Sequence, residues 1–480
     1  MPSAIISGPC TYTKAKAGAR LGLFCLLAFA AASAQGPGFT HIPADSLRDI
    51  VAYLASDELE GRATPSAGLE KAADYIGEHF RKAGLQPAPG ADGYFQRAQF
   101  VEITPGRGAE VVLRSAAGEM ALTPDSVHAR RALDIPNARV LALPDNLPRD
   151  GIEGRIVAAL AGRFPYDEGL EAVQALHPAA ILLIGSRALP PTPSYLEDRD
   201  ALPCPVIHIV NDEALTALED NQLLSVAIHV PRPTEKPVAL RNVVGLLPGS
   251  GPGTVIVSAH YDHVGMADVG SDRIFNGAND DASGVASVVE IARALAAMPT
   301  KPKRSIIFMA VFGEELGSLG SRYYVDHPLR PLRDTAAAIN LEHLGRTDGF
   351  DGPRLATFSF NGPSYSNLPS ILADAAKTEH VSVYRKPDGD TYFNRSDNYA
   401  FALAGVVSHT AMVLFEFPGY HQVDDEADRL NYPNMAVVDR ALAAGIWAVA
   451  NATAPPKWNN RPETQPFRQT QAGLTPPALR

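Results

Sequence analysis

The sequence predicts an α/β protein: a doubly wound, mostly parallel mixed sheet flanked by helices, with a small β-rich module inserted into it. Three observations carry this. After Lys236 the runs NVVGLLPG, TVIVSAH and SIIFMAVF are continuously apolar, as expected of strands covered on both faces. Between the last two, SGVASVVEIARALAAM sets Val285, Val288, Ala292 and Leu295 on one helical stripe. From about Phe95 to Pro233 the texture changes to short β-type runs (EVVLRS, RVLALP, GRIVAALAG, AAILLIG, PVIHIV) between Pro and Gly turns, with one helical patch near GLEAVQALHP.

In chain order, the first segment has the three-part plan of a secretory signal. Lys14, Lys16 and Arg20 precede the apolar run Leu21–Ala32, and small residues follow up to Ala34. The run is too short to span a bilayer comfortably, and no second stretch approaches that length. Cleavage near Ala34 is expected to send the chain to the periplasm or the medium, with no membrane attachment afterwards. It removes three cations and no acids, taking the formal charge from −11 to −14. It also removes Cys10 and Cys25, leaving Cys204 alone, so no internal disulfide and no thiolate zinc site is available.

Residues 41–95 read as the N-terminal part of the main domain. DSLRDIVAYL is a helix capped by Asp45 or Ser46, with Leu47, Ile50, Val51 and Leu54 on one face. A second helix runs through GLEKAADYIGEHFRKAGLQP and ends at Gly84. Residues 96–234 form the insert and 236–453 the rest of the main domain. Residues 454–480, rich in Pro, Gln and Thr, read as a poorly ordered tail. With 53 acids against 42 bases and no Lys/Arg cluster, the composition argues against a nucleic-acid backbone as main partner, and none is expected.

Chemistry concentrates in five stretches at strand exits or in the loops after them: SAHYDHVG, GANDDASG, FGEELGS, NLEHLG and GYHQVDD. In an open α/β sheet this is where sites form. Without cysteines, zinc ligands must be histidines and carboxylates. Two ions ~3.5–4 Å apart need a bridging carboxylate and about two further ligands each. His260 and His421 supply imidazoles, Asp280 can bridge, and Glu315 and Glu342 can each close one shell. Asp262 can orient His260 through the ring's other N–H. Glu314, beside Glu315, points the other way if the pair is extended, which leaves a free carboxylate as general base for hydrolysis. Tyr420 can donate its hydroxyl to a developing oxyanion, or simply pack against the loop. His343 and His409 are taken as structural, and Asp397 as a possible orienter.

These stretches resemble the motifs of the secreted di-zinc aminopeptidase family that includes the bacterial leucyl aminopeptidases and, more distantly, glutamate carboxypeptidase II. LASDELEGR, YFNRSDNYAFALAGV and the span from GRIVAALAG to PVIHIVND resemble further segments of larger members, the last a protease-associated insert. The resemblance covers roughly residues 43–450. It implies two Zn²⁺ per chain held by His260, Asp280, Glu315, Glu342 and His421, Glu314 as base, peptide substrates, and a cis peptide after Asp280. Glu342 stands where many relatives have Asp, Asn398 where they often have His, and Val423 where a small polar residue or Pro is common. The same fold also serves carboxypeptidases or dipeptidases, for which Arg385 or Arg395 would hold a carboxylate. Single-zinc glutaminyl cyclases and non-catalytic ectodomains share it too.

Overall fold

A computed structural model describes residues 42–143, 151–161, 170, 173–186, 194–197, 204–350 and 352–474. The proposed signal, residues 1–34, and residues 169, 171 and 172 of the helical patch near GLEAVQALHP lie outside the described residues.

Two long sheets account for most of the strands. Among the described residues the larger has ten strands. Its members include β1 (Phe95–Thr104), β2 (Ser194–Glu197), β3 (Thr234–Leu247), β4 (Thr254–His260), β5 (Ser305–Val311), β6 (Thr335–Leu341), β7 (Thr357–Phe360), β8 (Ser382–Val383) and β9 (Ser408–Met412), in the spatial order β8-β7-β9-β6-β4-β5-β3-β1-β2. The four central strands β9, β6, β4 and β5 are mutually parallel, while β3, β1 and β2 are added antiparallel. Every residue of β4 and of β5 is buried, which explains their unbroken apolar character.

Helices α1 (Ala44–Leu54) and α2 (Ala67–Lys82), α3 (Ser283–Ala296), α4 (Tyr432–Asn451) and α5 (Gln465–Leu474) belong to the same unit. The expected apolar face of α1 is the buried one. Its expected side-chain cap is absent: the N-cap is Pro43, Ser46 donates instead to Glu290 of α3, and Asp45 pairs with Arg48. Helix α3 is buried nearly all round rather than on one stripe, because it packs on β4, α1 and α4 together.

The second sheet has eight strands among the described residues, including Glu110–Ser115, Leu133–Ala142, Ile156–Leu160, Ala180–Gly185 and Val206–Val210, and encloses its own apolar cluster. Two strands within the span read as the insert, β1 and β2, pair into the larger sheet instead. The tail also departs from expectation. Residues 465–474 form α5, and Trp458 and Phe467 are buried against Phe393, with ring centroids 6.1 and 5.6 Å away. Burying each ring is worth ~1.5–3 kcal/mol and helps to hold a segment whose polar composition suggested no order.

Asp439 of α4 is fully buried, and burial raises its carboxyl well above the usual range; Ser287 offsets this only in part, and Glu290 adds to it. A raised folded-state value means stability present at acid pH and lost as pH climbs from about 4, where the unfolded carboxyl titrates. Asp439→Asn is therefore expected to raise the thermal midpoint at pH 8 and to raise it less at pH 5. Equal midpoints for both proteins at pH 8 would contradict this.

Candidate metal centre

The centre lies at the carboxyl ends of the parallel strands, around Asp280. The peptide bond between Asp280 and Asp281 is cis. The two adjacent acids are treated differently. Asp281 turns back into the start of α3, where its Oδ1 accepts the Gly284 N–H (3.0 Å) and the His343 N–H (3.3 Å). A Cβ at Gly284 would sit 2.3 Å from that carboxylate and 2.2 Å from the Leu341 carbonyl, so this turn admits only glycine. Asp280 alone faces the histidines.

The loop carrying Asp280 is held from three directions. Asp425, on the His421 loop, accepts the N–H groups of Asn279 and Asp280, each at 3.0 Å. Asn279 Oδ1 in turn accepts from Gly345 and Arg346, just past β6 (2.8 and 2.9 Å). Arg62, from the N-terminal segment, is buried and donates to the carbonyls of Tyr261 (2.9 Å), Asn276 (2.7 Å), Gly277 (3.0 Å) and Leu54.

Four imidazoles surround Asp280. His260 Nε2 and His343 Nε2 lie 3.2 and 3.4 Å from Oδ1. His421 Nε2 and His263 Nδ1 lie 3.0 and 3.9 Å from Oδ2. Glu315 joins the Oδ2 side, with Oε2 3.2 Å from His421 and Oε1 2.9 Å from His263. Glu342 is on the other side, beside His260 and His343 in the pocket wall, and its Oε1 accepts from Asn340 (2.9 Å) and from Ser396. That support holds the longer side chain in place where an aspartate is common.

Of the residues singled out in the sequence, His260, Asp280, Glu315, Glu342 and His421 thus come together. Three expectations change. Asp262 is not the nearest partner of His260: the ring Nδ1 lies 3.2 Å from the Asp262 carbonyl and 3.7 Å from its carboxylate, which accepts the Glu314 N–H instead (3.2 Å). The Glu314–Glu315 pair is not extended. It sits in a 3-10 turn between Gly313 and Gly317, both left-handed, and still sends the side chains apart: Glu314 to the pocket, Glu315 to the histidines. His343, taken as structural, faces Asp280. His409 does stay structural, held between Ser366 (2.6 Å) and the Asn361 carbonyl (2.8 Å). Asp397 accepts from Ser321, and burial with nearby carboxylates raises it to about 7 although His260 opposes this. His263 and Arg62 went unassigned in the sequence. The signal for His263 was present, three residues after a strand-end histidine; that for Arg62 was not, because its partners are remote in sequence.

The donor set suits a divalent cation. His421 Nε2 and Asp280 Oδ2 are 3.0 Å apart and buried, yet neither has a hydrogen-bond partner, and His263 Nε2 and Asp262 Oδ2 are also unpartnered. Buried polar atoms without partners call for an explanation, and nitrogen and oxygen donors in this number are zinc's ligands. Burial would raise Glu315, but His263 and His421 hold it down to about 2, so it stays an anion. Glu314 is pushed well above the usual range by burial; His260 opposes this while Glu315, Glu342 and Asp397 reinforce it. Beside the cluster is a pocket of about 160 Å³, lined by Glu314, Glu342, Tyr392, Arg395, Phe415 and Glu416 among others. Tyr420 stands at its edge, stacked on His421 at 4.1 Å.

Comparison with known proteins agrees with this geometry. The chain is 26% identical to aminopeptidase YwaD of Bacillus subtilis over 319 residues, 64% of either chain. It is 36% identical over 271 residues to a probable zinc metalloprotease of Pyricularia oryzae, covering 47% of this chain and 52% of that one. The matches thus span less than two thirds of these relatives. The fold is that of an aminopeptidase from Aneurinibacillus sp. strain AM-1, with a TM-score of 0.57 at 19% identity, over 88% of this chain and 97% of that one. Residues 242–446 match the profile of Peptidase family M28 and cover the whole cluster around Asp280. Over residues 242–446, the part that carries the cluster, the chain is thus similar to peptidase family M28.

Proposed function

We propose that the protein is an exported zinc-dependent exopeptidase, an aminopeptidase that removes N-terminal residues from peptides. The convergence of histidines and carboxylates on both oxygens of Asp280, at the carboxyl edge of a parallel sheet, is the observation that carries this. In this reading His260 and Glu342 would hold one zinc, Glu315 and His421 would hold a second, and Asp280 would be shared between them. Bound there, the ions would polarise the scissile carbonyl and lower the pKa of water to about 7.

The chain's own groups do the rest. Glu314, raised by burial and like charge, accepts the proton of the attacking water at a carboxylate oxygen and returns it to the leaving amine nitrogen. Tyr420, stacked on His421, is positioned to donate its hydroxyl to the carbonyl oxygen as charge develops. Arg395, the one arginine or lysine among the pocket's described lining residues, already lies 3.5 Å from Glu416, which weakens its claim on a substrate carboxylate and favours an aminopeptidase. Residues 96–234, as a protease-associated insert, would flank the entrance. Export rests on residues 1–34, and mature protein beginning near Gln35 is the expected product. No helix among the described residues is long and apolar enough to cross a membrane.

Two measurements check this. Purified protein should carry two divalent ions per chain, lose activity to a chelator and regain it with zinc. A stoichiometry of one at zinc saturation would favour a single-zinc enzyme. Given a panel of peptides, the protein should cleave those with a free amino terminus, C-amidated ones included, and spare N-acetylated ones. The reverse pattern would assign Arg395 to a substrate carboxylate and make the enzyme a carboxypeptidase.

A further inference from the structure

We propose that His263 is a ligand of the ion on the Glu315–His421 side, giving that ion four protein ligands while its neighbour keeps an open position. This rests on the metallopeptidase reading above but adds a residue and an asymmetry that reading does not contain.

The argument is geometric. With bonds of ~2.0–2.2 Å, nitrogen and oxygen ligands at the corners of a zinc tetrahedron lie about 3.3 Å apart. Four donor–donor distances of this order can be measured here, with Glu315 facing the two histidines through different carboxylate oxygens. They are His263 Nδ1 to Glu315 Oε1 at 2.9 Å, Glu315 Oε2 to His421 Nε2 at 3.2 Å, His421 Nε2 to Asp280 Oδ2 at 3.0 Å, and Asp280 Oδ2 to His263 Nδ1 at 3.9 Å. One ligand atom from each of the four residues lies within 4.8 Å of all the others. The imidazole of His263 is buried and meets that of His421 edge-on, 5.4 Å between centroids. Its place is kept clear by Gly277, left-handed at φ 59°, where a Cβ would come within 2.5 Å of the His263 ring.

Four protein ligands make a closed set, the mark of a structural zinc; three with an open position make a catalytic one. The set of His263, Asp280, Glu315 and His421 is closed. The other, His260, Asp280 and Glu342, borders the pocket that also contains Glu314. The two ions are therefore unequal: the first is bound tightly and exchanges slowly, and the second exchanges readily and is the one open to substrate.

The competing role for His263 is a hydrogen bond that merely orients Glu315, and His263→Asn separates the two. An Asn amide reaches the position of Nδ1 and keeps a donor toward Glu315 but offers no imidazole. Chelator competition on the full-length wild type should resolve a tight and a weak class of zinc. In His263→Asn the tight class should weaken by ~10³-fold, beyond the ~10–100-fold typical of outer-shell groups. Cobalt in that class should lose the intense visible bands of a tetrahedral site. Unchanged affinity and spectrum in a folded variant would overturn the proposal. A wild-type readout covers a variant that fails to fold. With ¹¹³Cd-loaded, ¹⁵N-histidine-labelled protein, one ring should show metal coupling through Nδ1, whereas the only coupled nitrogens being Nε2 would exclude His263. Wild-type protein that binds no divalent ion would sink the metallopeptidase reading itself, and two ions without an Nδ1 coupling would sink only the role of His263.

Discussion

Glu314→Gln is expected to keep both metal ions and the wild-type thermal midpoint while losing ~10²–10⁴ in turnover, the usual worth of a positioned acid–base group. The amide preserves volume and leaves the cluster around Asp280 intact, but it cannot take a proton. Its neighbour should fail differently. Glu315 is an anion held by His263 and His421, 2.9 and 3.2 Å away. Glu315→Gln removes that charge, so metal should be lost at zinc concentrations that saturate the wild type, and excess zinc should restore part of the rate. Metal content and initial rates on both variants decide the matter. If Glu314→Gln loses metal and Glu315→Gln keeps it, the two roles are exchanged; near-wild-type turnover in both removes the site.

Arg62→Met is expected to cost about 3–5 kcal/mol of stability, the range for removing one partner from a buried charged network. The guanidinium is 1% exposed and donates to four carbonyls, two of them just before the Asp280 loop and one between His260 and Asp262. Burial lowers it to about 10, with Asp262, Asp425, Asp280 and Asp281 opposing, so it remains charged at neutral pH. Methionine removes the side-chain donor to all four carbonyls; Gly277 O keeps the Ala282 N–H (3.2 Å), and each acceptor left unpaired costs ~1–3 kcal/mol before relaxation. Arg62→Lys, with three donors on a single nitrogen, should recover only part of the loss. Denaturant unfolding of the three proteins checks this, and a change within 0.5 kcal/mol, the ordinary effect of a surface substitution, would contradict it.

Much of the site was legible because its physics is local. Strands buried on both faces leave continuous apolar runs, and His260, Glu315, Glu342 and His421 stand just beyond such runs or in the loops that follow. What was not legible depends on contacts between distant parts of the chain. Nothing near Arg62 indicates that its side chain reaches Asn276 and Gly277. The turn holding Glu314 and Glu315 is set by the left-handed glycines on either side, so strand alternation was the wrong rule, although the side chains still diverge. The tail misled for a related reason: two aromatic residues, Trp458 and Phe467, outweigh a composition that by itself suggests disorder. His343 was indistinguishable from a structural histidine until the fold brought its Nε2 to 3.4 Å from Asp280.

The central claim is that Asp280 bridges two zinc ions, and zinc-edge anomalous diffraction from zinc-loaded crystals tests it most directly. Two peaks about 3.5–4 Å apart are expected on either side of the Asp280 carboxylate, one beside His260 and Glu342 and the other among His263, Glu315 and His421. A single peak in crystals saturated with zinc, or peaks away from Asp280, would contradict it.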